Sequence, residues 1–476
     1  MTDHSERSRW PLPPLAVELD DLVASIDDPS DADANLLIGA RWAAARLAGG
    51  AAPRDVCEAA TWFGLRRDRT EGYGSRGSVS RSVLAAHSCA SLAPEDSAES
   101  LSTARLAAAQ HVAYTVGGSR NDEDDRSEAP VLQWLDPGVQ RVDPVGDFLD
   151  AVLRGDVERS DRRWVDAATA DPDAAEEALI SAGAAGYHLN EDKLIYPAQL
   201  RAWTGQGPLD PALFRAAARY AGNHLQDRAS ADAVRADAEV LAVDAVQRSP
   251  STLGRLPRGG HERVSTVASG IALTPTAGLA RLVLASLEEG LSPEDLIDAL
   301  ALLSAAAFAI TSFGDRAPIG PVHACTGADA LQRCLDRAQS PELRYELALC
   351  ATRSPNAEAL DPVAELWVPP FDDGAVDDLL VALGDGDPDA ASEAATAVPP
   401  DEPDSVLAAW SAVRATAATD QWMMLHAVEH TVAMEHAFRL SDHPARIWFL
   451  AAAARTAAHA TAVDQPVAAL VAEILR

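Results

Sequence analysis

Apolar residues recur along this chain at intervals of three and four, and hardly anywhere in strict alternation. Leu36 to Gly49 (LLIGARWAAARLAG), Ala212 to Leu225 (ALFRAAARYAGNHL) and Ile447 to Ala460 (IWFLAAAARTAAHA) carry the spacing most clearly. That period places an apolar stripe along one side of a helix, so the expected fold class is all-α. Helix starts are marked as well. Ser292-Pro293-Glu294-Asp295 and Asp171-Pro172-Asp173 each put a capping oxygen, then proline, then acids where the first helical turn leaves its N–H groups free. The most apolar stretch, Leu296 to Phe313, contains Asp298 and is too short for a bilayer, so it predicts a buried helix. Gly117 to Pro130, Gln247 to Arg263 and Val398 to Asp404 are charged or rich in Pro and Gly, and predict surface loops.

The helical pattern repeats. Gly50-Ala51-Ala52-Pro53-Arg54-Asp55-Val56 resembles Gly290-Leu291-Ser292-Pro293-Glu294-Asp295-Leu296, and His87-Ser88-Cys89 matches His323-Ala324-Cys325. Asp147-Phe148-Leu149 before Gly155-Asp156 is echoed by Asp377-Asp378-Leu379 before Gly386-Asp387, and His188-Leu189-Asn190-Glu191 by His426-Ala427-Val428-Glu429. Four landmarks in one order predict an internally duplicated array of helical hairpins. The expected boundaries are a tail over 1–14, one half over 15–245, a linker over 246–264 and a second half over 265–476. A duplicated helical chain usually folds as one body about a pseudo-two-fold axis; two separate helical bodies are the other arrangement the pattern allows.

Composition narrows the function. The formal net charge is −33, and Lys193 is the only lysine. Nucleic acid and anionic membrane both require clustered positive charge, so neither is expected as a partner. Five scattered cysteines and no CxxC pair argue against a disulfide framework and against a zinc ribbon. The opening MTDHSERSRWPLPPL lacks the apolar core of a signal peptide, so the expected location is cytoplasmic.

Histidine and glutamate carry the candidate chemistry. Residues three apart on a helix share a face. His188 with Glu191, and His426 with Glu429, can each present an imidazole and a carboxylate to one point, the donor types of di-iron and di-manganese helical sites, here with His before Glu. His87 and His323 are the expected completion of the set. Such nitrogen and oxygen donors suit iron or manganese and oxygen chemistry. The plainer reading is that these histidines are buried structural residues, that Glu191 is a solvated partner of Lys193, and that the cysteines are small core hydrophobes. His426, Glu429 and His430 also spell HxxEH, the pattern of inverted zinc peptidases, although the only glutamate well downstream is Glu473. No glycine-rich phosphate loop, GxSxG elbow or Rieske ligand pattern is present.

Pro321 to Arg344 (PVHACTGADALQRCLDRAQSPELR), Leu425 to Phe438, Ala451 to Ala462 and Glu176 to Trp203 resemble segments of uncharacterised His-rich helical proteins that in some bacteria carry a C-terminal Rieske domain. More distantly the chain resembles the questin oxidase type. The resemblance implies redox work near a metal, and the lack of the cluster domain leaves either an electron-transfer partner protein or a different role for this branch. The expected function is therefore a metal-dependent oxidoreductase with ligands among His87, His188, Glu191, His323, His426, Glu429 and His430. A helical binding or scaffold protein with structural histidines is the alternative, and a haem protein with one axial histidine from each half is the third.

Overall fold

The computed structural model of the chain describes residues 12–28, 31–67, 83, 85–92, 98–118, 142–205, 209–222, 228–248, 261–274, 276–313, 318–351, 360–361, 363, 366–372, 374–420, 425–461 and 465–476. Among these there are 22 α-helices and no strand, as the hydrophobic spacing predicts. The first eleven are α1 Pro14–Ala24, α2 Ala32–Ala48, α3 Pro53–Arg67, α4 Ala86–Ser91, α5 Ala98–Gly118, α6 Pro144–Leu153, α7 Val157–Ala170, α8 Pro172–Gly186, α9 Asp192–Thr204, α10 Pro211–Gly222 and α11 Arg228–Arg248. The second eleven are α12 His261–Leu273, α13 Thr276–Glu288, α14 Pro293–Ile310, α15 Ile319–Arg337, α16 Pro341–Cys350, α17 Ala375–Asp385, α18 Pro388–Thr396, α19 Pro403–Ala417, α20 His426–Leu440, α21 Ile447–Thr461 and α22 Pro466–Leu475.

Short polar residues set the helix starts. Ser292 accepts from the Asp295 amide and Asp171 from the Ala174 amide, each just before a proline at the first helical position. Asp143, Asp156 and Asp387 cap α6, α7 and α18 in the same way. Each such cap stabilises its helix by about 1 kcal/mol. The apolar stretch from Leu296 is the buried helix α14, and no helix among the described residues is long and apolar enough to cross a membrane. All five cysteines are buried thiols. Val398 to Asp404 is a break before α19; most of the Gly117–Pro130 segment, residues 1–11 of the tail, 249–260 of the linker region and His224 lie outside the described residues.

Local packing recurs between the two sets of helices. α1 packs on α3 as α12 packs on α14; α6 packs on α7 and α8 as α17 packs on α18 and α19; α7 meets α10 as α18 meets α21. Gly50 and Gly290 both have φ of 95°, closing the turns before α3 and α14 in a conformation that costs glycine little. The terminal helix of each set crosses over: α11 packs against α16, and α22 against α2 and α5. One large apolar core consequently draws Leu19, Phe63 and Trp164 together with Leu331, Leu347 and Val467. A second core is built from the later helices around Phe308, Trp410 and Phe449.

Candidate functional site

With α14, the helices α15 and α20 are shared by the two cores. α15 contributes Leu331 and Cys334 to the first and Val322 and Cys325 to the second; α20 contributes Val428 and Val432 to the first and Ala433 and Met434 to the second. They pack side by side, α9 lies along α15, and the short α4 lies against both α9 and α20. The candidate histidines and carboxylates fall on this seam.

His323 is the fifth residue of α15 and His426 opens α20. Their Nε2 atoms stand 3.0 Å apart, with the rings inclined at 44°. Behind His323, its Nδ1 lies 3.2 Å from Asp192 Oδ1 at the start of α9. Asp192 is itself held. Its amide donates to Asn190 Oδ1 at 2.9 Å, Asn190 Nδ2 donates to the Tyr220 hydroxyl at 2.7 Å, and that hydroxyl reaches Asp192 Oδ2 at 3.4 Å. A carboxylate, two imidazoles and a phenol from α9, α10, α15 and α20 thus form one connected polar chain.

Local backbone chemistry puts His426 there. Asp420 Oδ2 accepts from the Ala427 amide at 2.9 Å and fastens the beginning of α20. Leu425, immediately before His426, has φ of 70° and is buried; it is the one non-glycine residue among those described in the left-handed region. That conformation costs roughly 1–3 kcal/mol and persists only where the surroundings enforce it, a pattern that concentrates at functional sites.

Both predicted glutamates are buried, Glu191 at 1% and Glu429 at 4% exposure. Glu191 packs on α15 one turn beyond His323. A methyl group on Gly327 would stand 2.6 Å from the Tyr187 hydroxyl and 3.0 Å from Glu191 Cγ, so glycine is what lets the start of α9 approach α15. Burial, and then the Glu191 charge, push the Tyr187 phenol well above its ordinary range.

The expected solvated Glu191–Lys193 pair is overturned. Lys193 is 1% exposed, and among the described residues its ammonium nitrogen reaches only the Ala221 carbonyl, at 3.2 Å. Burial lowers its pKa from 10.5 to about 7. The unfolded chain therefore binds this proton more tightly between pH 7 and 10.5, and stability falls as pH drops through that window. Methionine would keep the stem and remove the amine. Lys193→Met is expected to raise the unfolding free energy at pH 7 by about 1–3 kcal/mol, read by urea denaturation; a loss of stability would show that the bond to Ala221 dominates.

The remaining predicted residues divide. His188 is half-buried on the turn between α8 and α9. His430 faces away from the pair: its Nδ1 is 2.6 Å from Thr456 Oγ1, its ring lies 4.7 Å from that of Phe308, and among the described residues its buried Nε2 has no hydrogen-bond partner. His87, on α4, bonds Ser91 Oγ through Nδ1 at 3.1 Å and belongs with His436, Asp329, Arg333 and Arg54, the groups that act on its charge. Among the described residues no three His, Cys, Asp or Glu side chains are placed to hold one metal ion. The tight unit is a pair of imidazoles with one carboxylate behind it.

Asp192 and Tyr220 escaped the sequence reading. Asp192 directly follows the HxxE motif, and the signal that would have found it is the run Asn190-Glu191-Asp192 at a helix start, where one of three adjacent acceptors must cap and another is free to face inward. Comparison of the chain with protein-family models, with curated proteins and with solved structures finds no match.

Proposed function

We propose that the protein is a metal-dependent oxidoreductase in which His323 and His426 hold an iron or manganese ion at the seam between the two cores. The observation that carries the reading is the pair of Nε2 atoms 3.0 Å apart with Asp192 behind His323. Two nitrogens bound at roughly 2.1 Å and at right angles to each other stand about 3.0 Å apart. Metal-binding imidazoles almost always have a carboxylate, carbonyl or water on the other ring nitrogen, and Asp192 fills that place. Glu191 and Glu429, buried one turn away, are the carboxylates available to complete the set. When bound, such an ion supplies Lewis acidity and one-electron chemistry toward oxygen. The chain's own residues position it: Asp192 fixes the His323 ring, Asp420 anchors the start of α20, and the flanking apolar cores exclude water. Electrons would come from a partner protein.

The same reading takes the chain as an internal duplication. Supporting this are the repeated packing pairs, the matched turns at Gly50 and Gly290, and the crossing of α11 and α22. Under that correspondence α9 meets α15 as α20 meets α4.

A metal-free proton relay is the second reading, favoured by the lack of a third ligand in place among the described residues. There Asp192, His323 and His426 pass a proton along one line as general acid and base. A haem between this pair is disfavoured because the imidazole tips already meet. Anaerobic calorimetry with Fe(II) and Mn(II) separates the first two readings. The metal reading expects about one equivalent bound, weakened roughly 100-fold or more in His426→Ala; the relay reading expects no saturable heat. If His426→Ala alters neither metal uptake nor anything but the unfolding midpoint, a scaffold with structural histidines is the better description.

A further inference from the structure

Further along α15 and α20 the two helices meet again in a polar contact. Asp329 is 1% exposed, and its Oδ1 lies 2.6 Å from His436 Nδ1 while its Oδ2 accepts from Arg333 Nε at 2.7 Å. Fixing a histidine through Nδ1 leaves Nε2 as its outward-facing group. Among the described residues His436 Nε2 makes no hydrogen bond, and neither do the terminal nitrogens of Arg333. The imidazole remains partly exposed.

Two further elements pack toward this contact, α4 against α20 and α3 against α4. α4 brings His87, with Nδ1 engaged by Ser91 at 3.1 Å, and is fastened to α9 by Ser88 Oγ on Gln199 Oε1 at 3.3 Å. Arg54, at the start of α3, is held over the Trp203 ring and donates through Nη2 to the Trp203 carbonyl at 3.1 Å; among the described residues it makes no ion pair. Elsewhere in the fold arginines are neutralised by carboxylates, as in Arg215–Asp161, Arg414–Glu435 and Arg337–Glu176. Here the ratio is inverted. One carboxylate stands among two guanidiniums and two imidazoles, in a chain with 72 acids and 39 bases. Burial and the Arg333 charge hold His87 down at about 3, so it is a neutral donor or acceptor in that company.

We infer that Arg333, His436, Arg54 and His87 form a binding site for a small oxyanion, the phosphate or carboxylate group of a soluble ligand, with Asp329 as the buried post that orients Arg333 and His436. Guanidinium N–H groups and imidazoles match the lone pairs of such a group, and a partly buried setting strengthens each bond relative to open water. The acidic remainder of the surface repels anions at large, which makes a local cationic cluster more selective. The site stands on its own residues and does not depend on metal binding at His323 and His426.

The test is calorimetry on the full chain with inorganic phosphate and, separately, with acetate. The expected result is saturable binding of at least one probe, weakened about tenfold or more in His436→Gln and severalfold in Arg54→Gln, and unchanged in His426→Ala. Binding of phosphate alone assigns a phosphate-bearing ligand; binding of acetate as well assigns a carboxylate. Arg54 is exposed, so Arg54→Gln leaves the fold intact and keeps the test decisive if Arg333 or His436 variants unfold. No saturation by either probe up to about 10 mM, or equal affinity in wild type and Arg54→Gln and His436→Gln, overturns the assignment.

Discussion

Replacing Arg215 with methionine is expected to remove about 3–5 kcal/mol of folding stability, the largest loss from any single change considered. Arg215 is fully buried on α10 and grips Asp161 of α7 with two parallel bonds, Nε to Oδ1 and Nη2 to Oδ2, both 2.7 Å. Around the pair lie apolar groups: Trp164, stacked with Phe214 and edge-on to Phe148, donates to the Pro211 carbonyl. Burial pushes the Asp161 carboxyl upward against the opposing pull of Arg215. Without the guanidinium, that carboxylate must stay charged in an apolar site or take up a proton, and either costs free energy. Removing both partners, as in Asp161→Leu with Arg215→Met, is expected to recover most of the loss, because paired buried charges gain little over well-packed apolar residues. Urea denaturation of the single and double variants measures the difference. A single variant within 1 kcal/mol of wild type would mean that water reaches Asp161, a result the packing does not allow.

The second large effect is acid lability. Burial lowers His430 from 6.5 to about 3, and burial with the Arg455 charge lowers His459 from 6.5 to about 4. The unfolded chain protonates both near 6.5, while the folded chain resists. Their contribution is therefore complete above pH 6.5 and is lost as the pH falls toward 4 and 3. Each amounts to about 3 kcal/mol by pH 4, at 1.36 kcal/mol per pH unit. Glu346 works in the opposite sense. Burial raises it from 4.5 to about 7, so the folded chain keeps its proton and gains stability as the pH drops from 7 to 4.5. His87, held at about 3 in the same way, adds a third loss of the same kind. Glu346 offsets only one of the three histidines down to pH 4.5, and below that point it adds nothing more while the histidines continue. The expected profile is a fall that begins near pH 6.5 and steepens below pH 4.5, with a net loss of about 6 kcal/mol by pH 4. His430→Phe with His459→Phe should flatten the steep limb. An unfolding free energy independent of pH between 4.5 and 3.5 in wild type would contradict the assignment of these imidazoles as buried and neutral.

The helical class was legible in the spacing around Leu36, Ala212 and Ile447 because a stripe repeated at 3.6 residues has only one way to be buried. The caps at Ser292 and Asp171 were equally legible, since capping is decided within four residues. The pairing at the candidate site was only partly so. The sequence offered His323 and His426 as members of a larger set, and folding brought these two together while placing His430 against Phe308 and His87 beside Asp329. Side-chain direction around a helix depends on which neighbours pack where, and a motif fixes the face only relative to itself. Thus His426 and His430, one turn apart, serve different surroundings. Asp192 and His436 went unnoticed because their roles arise between elements far apart in the chain, Asp192 with His323 and His436 with Asp329. Lys193 carries a different lesson. A lone lysine beside a glutamate suggests a surface ion pair, yet the turn at Asn190 rotates it inward, toward Ala221.

Anomalous scattering from crystals soaked anaerobically in Mn(II) addresses the central proposal most directly. The account predicts one anomalous peak within bonding distance of both His323 Nε2 and His426 Nε2, absent from His426→Ala crystals. A map with no peak at that pair, or with manganese bound only at surface carboxylates, would contradict it.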